Sequence, residues 1–253
     1  VLIRPGAPAE IWLATSSDTG IDNADGVTRL NNSAGNRVEF VVGGTVPGAE
    51  VTLFADGQQI GQAVADGFSV TILADETYVF SDGSHSMTAF QALRNLAVDV
   101  GNRHDTVDLI GDISAPFSIT VDTGLPAFTS NPVTAAVAGV AYTYDADSDA
   151  EAEGSVQYVL TESPVGMAID PLSGLVSWTP LSSQGPSQPV SIRASDLAGN
   201  LVDQAYTVIL TDTNQPPALT QISDQTVTEG DTLSLSAVAT DPDVPADTLT
   251  YSL

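Results

Sequence analysis

Short runs of alternating apolar and polar residues fill the chain from Ile11 onward, and nowhere does an apolar period of 3.6 persist. Strand after strand is expected. Val51-Thr52-Leu53-Phe54 leads into Ala55-Asp56-Gly57-Gln58 and out through Gln59-Ile60-Gly61, a hairpin turning on Asp-Gly. Phe68, Val70 and Ile72 alternate inward next, and Met87, Ala89 and Gln91 follow suit. The same rhythm returns in Val156, Tyr158 and Leu160, in Val176 and Trp178, in Val190, Ile192 and Ala194, and in Tyr206, Val208 and Leu210. Short strands at this spacing, with turn signals between them, predict β-sandwiches. The stretches from Asp75 to Phe80 and from Asn102 to Ser114 fit the rhythm poorly and read as insertions between strands.

Two joints divide the pattern. Asp122-Thr123-Gly124-Leu125-Pro126-Ala127-Phe128 follows the alternation of Phe117, Ile119 and Val121, and Asp212-Thr213-Asn214-Gln215-Pro216-Pro217-Ala218-Leu219 follows that of Tyr206, Val208 and Leu210. Proline cannot donate to a sheet ladder, so each joint ends one sheet and stiffens the passage to the next. The expected organisation is a linker over 1–9, one sandwich over 10–124, a second over 125–214 and a partial third over 215–253. Repetition supports this: Pro126-Ala127 recurs as Pro217-Ala218, Asp147-Ser148-Asp149 as Asp241-Pro242-Asp243, and Tyr158 and Leu160 as Tyr251 and Leu253. With no initiator methionine and a last alternation that stops at Leu253, the chain reads as a fragment of something longer.

Charge changes the picture. There are 32 acidic residues against six arginines and no lysine, a net charge of -26. Nucleic acids and anionic membranes need clustered cations, so both are excluded as partners, and a cation is the natural ligand. Asp outnumbers Glu 24 to 8 and gathers in turns, which favours calcium sites on top of a generally acidic surface. The chain has no cysteine, which removes disulfides, thiolate metal sites and cysteine nucleophiles. No segment approaches the roughly 20 apolar residues of a membrane-spanning helix.

Asp145, Asp147, Asp149, Glu151 and Glu153 occupy every second position. On a strand they would share one face and repel; a loop wrapped around a hard cation, which takes six to eight oxygens, is the chemical alternative to a merely solvated acidic loop. Ala150 and Val156 stand where an EF-hand needs Gly and Glu, so that motif is excluded. Asp18, Asp22 and Asp25 alternate with Gly and Asn in a stretch able to curve tightly, and Asp122 stands at the first joint. Asp99 and Asp196 each precede a Gly-Asn turn at a strand end, where either a ligand role or an ordinary turn role is open.

Catalysis has little to work with. His85 and His104 are the only histidines, and no Gly-x-Ser-x-Gly elbow, His-Glu-x-x-His helix or phosphate loop occurs, so no enzyme is expected. Trp12 and Trp178 read as core residues rather than sugar platforms.

Ser16-Ser17-Asp18-Thr19-Gly20, Val46-Pro47-Gly48-Ala49-Glu50 with Val51 to Gly57, Asp82-Gly83-Ser84-His85 and Val121-Asp122-Thr123 resemble the bacterial immunoglobulin-like repeats of very large secreted adhesins. The stretch from Pro164 to Pro180, with Asp170-Pro171-Leu172-Ser173-Gly174-Leu175-Val176-Ser177-Trp178 inside it, resembles the cadherin-like immunoglobulin repeat also found in dystroglycan-type domains. The resemblance implies an all-β, elongated array of tandem Ig-like and cadherin-like β-sandwiches, the last truncated, outside the cell or on its surface. It implies calcium near the joints, with Glu229, Asp241, Asp243, Asp212, Asn214 and Asp196 matching the ligand types of cadherin-like repeats. Ala138 replaces the early Glu in the second repeat, and the Asp-Arg-Glu element of true cadherins is missing. Expected partners are neighbouring repeats of the same chain, with a host-cell or polymer ligand as a second class. A carbohydrate- or protein-binding module, or an accessory domain of a secreted hydrolase, is the alternative to a structural adhesin module.

Overall fold

The structure, a computed structural model, describes residues 3–100, 103–150, 156–211, 215–243 and 248–252. Two compact units emerge, one of residues 1–126 with 195–201 and one of 127–194 with 202–253.

In the first unit β1 (Glu10–Leu13), β3 (Glu39–Gly43) and β6 (Ser69–Leu73) form one sheet in the order β1-β3-β6. The other contains β2 (Val27–Thr28), β4 (Glu50–Ala55), β5 (Gln58–Val64), β7 (Gly83–Val100) and β9 (Phe117–Val121) in the order β2-β9-β7-β4-β5, with β8 (Arg103–Ile110) also paired to β7. Alternate residues of both sheets meet in one core: Ile11, Leu13, Phe40, Val42, Val51, Leu53, Ile72, Met87, Ile119 and Val121 are buried together. Period-two patterning produces this directly, because successive side chains of a strand point to opposite faces. The expected hairpin is β4–β5, and Asp56 and Gly57 have φ of 49° and 84°. Positive φ at both central residues is what a type I′ turn demands, and Asp-Gly supplies it at little cost.

Three readings need correction. Phe68 does not point inward: it is 82% exposed and precedes β6, whose buried residue is Ile72. The expected insertion from Asn102 to Ser114 contains a strand, β8, antiparallel to an unusually long β7. A polar-rich ribbon hides its period because both faces are largely solvated. Trp12 stands on the outward side of β1 at 38% exposure instead of plugging the core. Asp75 to Phe80 does lie outside the strands, held by Asn32, whose Nδ2 donates to the carbonyls of Asp75 and Tyr78 at 2.7 Å each.

The second unit repeats the plan. One sheet orders β10 (Ala135–Val137), β16 (Leu201–Thr211), β15 (Ser187–Ser195) and β12 (Gln157–Glu162) as β10-β16-β15-β12. β11 (Tyr142–Asp145), β13 (Ala168–Ile169) and β14 (Leu175–Trp178) make the other in the order β11-β14-β13. Between them lie Tyr144, Tyr158, Val176, Trp178, Val190, Ile192, Val208 and Leu210. Tyr142 meets Trp178 edge to face, with ring centroids 6.1 Å apart. A short early strand pairs parallel to β9 in the first unit and to β16 in the second, Val27 with Thr120 and Ala135 with Ile209. Gly174, at φ 69°, lets the backbone pass where a Cβ would collide with the Ala146 carbonyl oxygen. Beyond it, β17 (Ala218–Leu219) and β18 (Ala239–Thr240) pair, and most other described positions from 215 onward are exposed. Among the described residues no helix is long and apolar enough to cross a membrane.

Candidate functional site

The chain leaves β1 through a turn in which the amides of Ser17 and Asp18 both donate to the Ala14 carbonyl, at 2.7 and 3.0 Å. That turn carries Asp18 inward, to 6% exposure. Its Oδ2 accepts from the Gly26 amide at 3.3 Å, while Oδ1 is buried without a hydrogen-bond partner. Asp22 and Asp25 each accept an amide two residues on, from Ala24 at 3.1 Å and Val27 at 2.9 Å, so local Asx turns fold the loop around Asp18. Burial pushes the Asp18 carboxyl above the ordinary carboxylate range; the Gly26 amide pulls it back, and the charges of Asp25 and Asp22 push it up again. Beside it opens a cleft of about 620 Å³ whose lining includes Glu10, Trp12, Asp18, Asn23 and Phe117.

Asp122 and Asp196 belong to the same compact unit. Asp196 is buried with both oxygens hydrogen-bonded: Oδ1 accepts the Asn200 amide at 2.8 Å and Oδ2 accepts Asn200 Nδ2 at 2.9 Å. Asn200 Nδ2 also donates to the Asp122 carbonyl at 2.9 Å, and Asp122 Oδ1 accepts the Gly124 amide at 2.8 Å. The similarity in sequence between Asp99 and Asp196 does not extend to structure. Asp99 lies on the β7–β8 ribbon, exposed, with the His104 ring on its carboxylate.

In the second unit, exposed and buried positions keep alternating past β11, so Asp145, Asp147 and Asp149 face solvent while Ala146, Ser148 and Ala150 point inward. Only Asp145 belongs to the strand: Asp147 lies past its end, and Asp149 and Ala150 open a 3-10 turn, so the acidic stretch leaves the sheet as it goes. Asp149 Oδ1 accepts the Ala127 amide at 2.7 Å, and the Thr129 amide donates to the Asp147 carbonyl at 2.9 Å. Further on, both carboxylate oxygens of Asp243 accept the Gln215 amide, at 2.9 and 3.1 Å, and Asp241 accepts the Asp243 amide at 2.9 Å. Glu229 is exposed. Asp212 and Asn214, and the neighbouring Glu151 and Glu153, lie outside the described residues. Among the described residues no three His, Cys, Asp or Glu side chains are grouped to hold a metal ion. The Asp18 Oδ1 is buried without a hydrogen-bond partner, and the charges of Asp25 and Asp22 act on its carboxyl.

Residues 125–211 match the family described as "Putative Ig domain". Packed β-sheets make up each of the two compact units. Among solved structures the chain is similar to the fibronectin(III)-like modules of Clostridium thermocellum CbhA, at 13% identity over 80% of this chain and 95% of that one, TM-score 0.41. It is similar to the EC3-6 fragment of protocadherin gammaB7, at 12% identity over 94% of this chain and 60% of that one, TM-score 0.40. A third similarity is to the C-terminal 282-residue fragment of intimin, solved with the intimin-binding domain of its translocated receptor, at 13% identity over 81% and 66%, TM-score 0.37. No curated protein matches the chain.

One arrangement escaped the sequence. Asp56 at the β4–β5 turn reaches His85 on β7, with Oδ2 2.6 Å from the ring Nδ1, because the register places Ala55 opposite Met87. The 29 residues between them carry no local spacing that could signal the pair.

Proposed function

We propose that this chain is an extension and adhesion module of a large secreted or cell-surface bacterial repeat protein, in which calcium near the joints stiffens the array. Its first sandwich would span 10–124, its second 125–214, and 215–253 would begin a third. The observation that carries the reading is the buried Asp18 Oδ1, which has no donor while Asp22 and Asp25 crowd the same loop. A buried acceptor left unpaired costs about 1–3 kcal/mol, and a divalent cation would remove that cost together with the repulsion. Asp122 and Asp196 are held in place by Asn200, and Asp149 and Asp243 each hold a preceding backbone amide. Each of these bonds lies within one compact unit.

The test is thermal unfolding in millimolar calcium and again after chelation, at constant ionic strength so that screening of the net charge is the same in both. At about 100 times its dissociation constant a ligand adds about 2.7 kcal/mol. A rise in midpoint with calcium and not with magnesium is expected; an unchanged midpoint would remove the stiffening role.

A second reading, a module binding carbohydrate or protein, rests on the cleft where Trp12 stands half-exposed near Phe117. Quenching or shift of Trp12 fluorescence across a panel of polysaccharides, in a Trp178→Phe background, tests it; no response to any of them argues against it.

A further inference from the structure

His85 is buried at 7% exposure, and both of its ring nitrogens face acceptors. Nδ1 lies 2.6 Å from Asp56 Oδ2 and Nε2 lies 2.8 Å from the Ser81 carbonyl oxygen. A neutral imidazole has one N–H and one lone pair, so either tautomer would press a lone pair against an oxygen. Only the imidazolium donates at both positions.

Around the ring the contacts converge. Asp56 Oδ1 accepts the Ser86 amide at 2.9 Å, and the Tyr78 hydroxyl donates to Asp56 Oδ2 at 2.9 Å. The Phe80 ring meets the imidazole edge to face at 5.0 Å between centroids, and β9 places Ile119 opposite His85. Other charges on these elements are engaged elsewhere: Asp75 accepts the Thr77 amide, Glu76 pairs with Arg37, and Asp82 accepts from Thr123. Asp56 is therefore the charge and Tyr78 the other titratable group that act on the ring, among the described residues.

We propose that His85 is a proton-operated clamp that, as an imidazolium, bridges Asp56 at the β4–β5 turn and the Ser81 carbonyl just before β7, and gives up one of these two bonds when it loses a proton. Burial works against the charged ring, but the bonds to Asp56 and Ser81 and the Asp56 charge outweigh it and raise the ring above its ordinary value. Burial also opposes charge on Asp56; the bonds from His85, the Ser86 amide and Tyr78 win and hold it below the carboxylate range. A base with a raised folded value stabilises fully below its unfolded value, about 6.5, and loses that stabilisation as pH climbs through the folded value. The clamp is closed below about pH 6.5 and opens as pH climbs through the raised folded value. Asn32 keeps its hold on Asp75 and Tyr78, so the opening is local.

The experiment is NMR of the intact chain with ring-¹⁵N histidine, using His104→Gln to leave a single imidazole, together with amide exchange of Ser86 and Phe80 corrected for intrinsic rate. Expected are two protonated nitrogens on His85 at pH 6, proton loss at higher pH than in Asp56→Asn, and at least tenfold faster corrected exchange once the proton is gone. A neutral His85 at pH 6, or deprotonation that leaves the exchange unchanged, overturns the proposal. The wild-type spectrum alone decides the first point if Asp56→Asn fails to fold.

Discussion

Replacing Asp18 with Asn keeps the shape of the side chain and removes its charge. Without calcium the change should stabilise the first unit. The amide oxygen can still accept the Gly26 amide that Asp18 Oδ2 takes at 3.3 Å, and Nδ2 would replace a partnerless acceptor with a donor beside the Asp25 carboxylate. Removing a buried unpaired acceptor and its repulsion is worth about 1–3 kcal/mol, or about 4 °C in midpoint per kcal/mol for a unit of this size. With calcium the order should reverse: the wild type gains about 2.7 kcal/mol at 100 times the dissociation constant, and the variant, short of one anionic ligand, gains far less. The carboxyl's raised folded value adds a pH signature. The folded state then holds the proton more tightly than the unfolded one, so wild-type stability without calcium falls as pH rises from about 3.9 through the folded value, and the Asp18→Asn variant lacks that component. Scanning calorimetry in chelator and in calcium, at pH 4.5 and 7, reads all of this. A lower midpoint for the variant in chelator, or a calcium gain equal to that of the wild type, refutes the reasoning.

Three further outcomes follow from the cores. Gln91 is buried, its Oε1 accepting the Val46 amide at 2.8 Å and its Nε2 donating to the Gly6 and Gly44 carbonyls at 3.0 and 3.2 Å. Gln91→Leu strands these groups and should cost the first unit about 2–4 kcal/mol in urea unfolding, with the second unit's transition unmoved; a loss under about 1 kcal/mol refutes it. Gly174→Ala forces a Cβ against the Ala146 carbonyl at positive φ and should cost the second unit at least about 2 kcal/mol, measured the same way. Burial pushes the Tyr206 and Tyr142 phenols upward, so ultraviolet titration should find both un-ionised until the second unit unfolds.

Strand positions were legible in the sequence wherever one face is buried. Val51, Leu53, Met87, Ala89, Val176 and Ile192 alternate because a half-buried strand leaves alternate residues in water, and the Asp-Gly turn was legible because few residues accept positive φ. The pattern failed where burial is weak or the environment is not local. β8 carries no clear period because much of its ribbon is solvated, and Phe68 and Trp12 are apolar residues that the sheets leave outside. Among the acids, sequence marks the Asp18, Asp22 and Asp25 loop by composition, yet nothing in it distinguishes the buried Asp18, with its partnerless Oδ1, from Asp196, with both oxygens hydrogen-bonded, or the exposed Asp99. Those differences depend on which backbone amides lie within reach. Sequence alone determined an all-β chain of sandwiches with a strongly acidic surface, because patterning and charge are properties of each stretch by itself. The tertiary structure decided which carboxylate is desolvated and which histidine meets two acceptors, because strand register sets the contacts between residues distant in sequence.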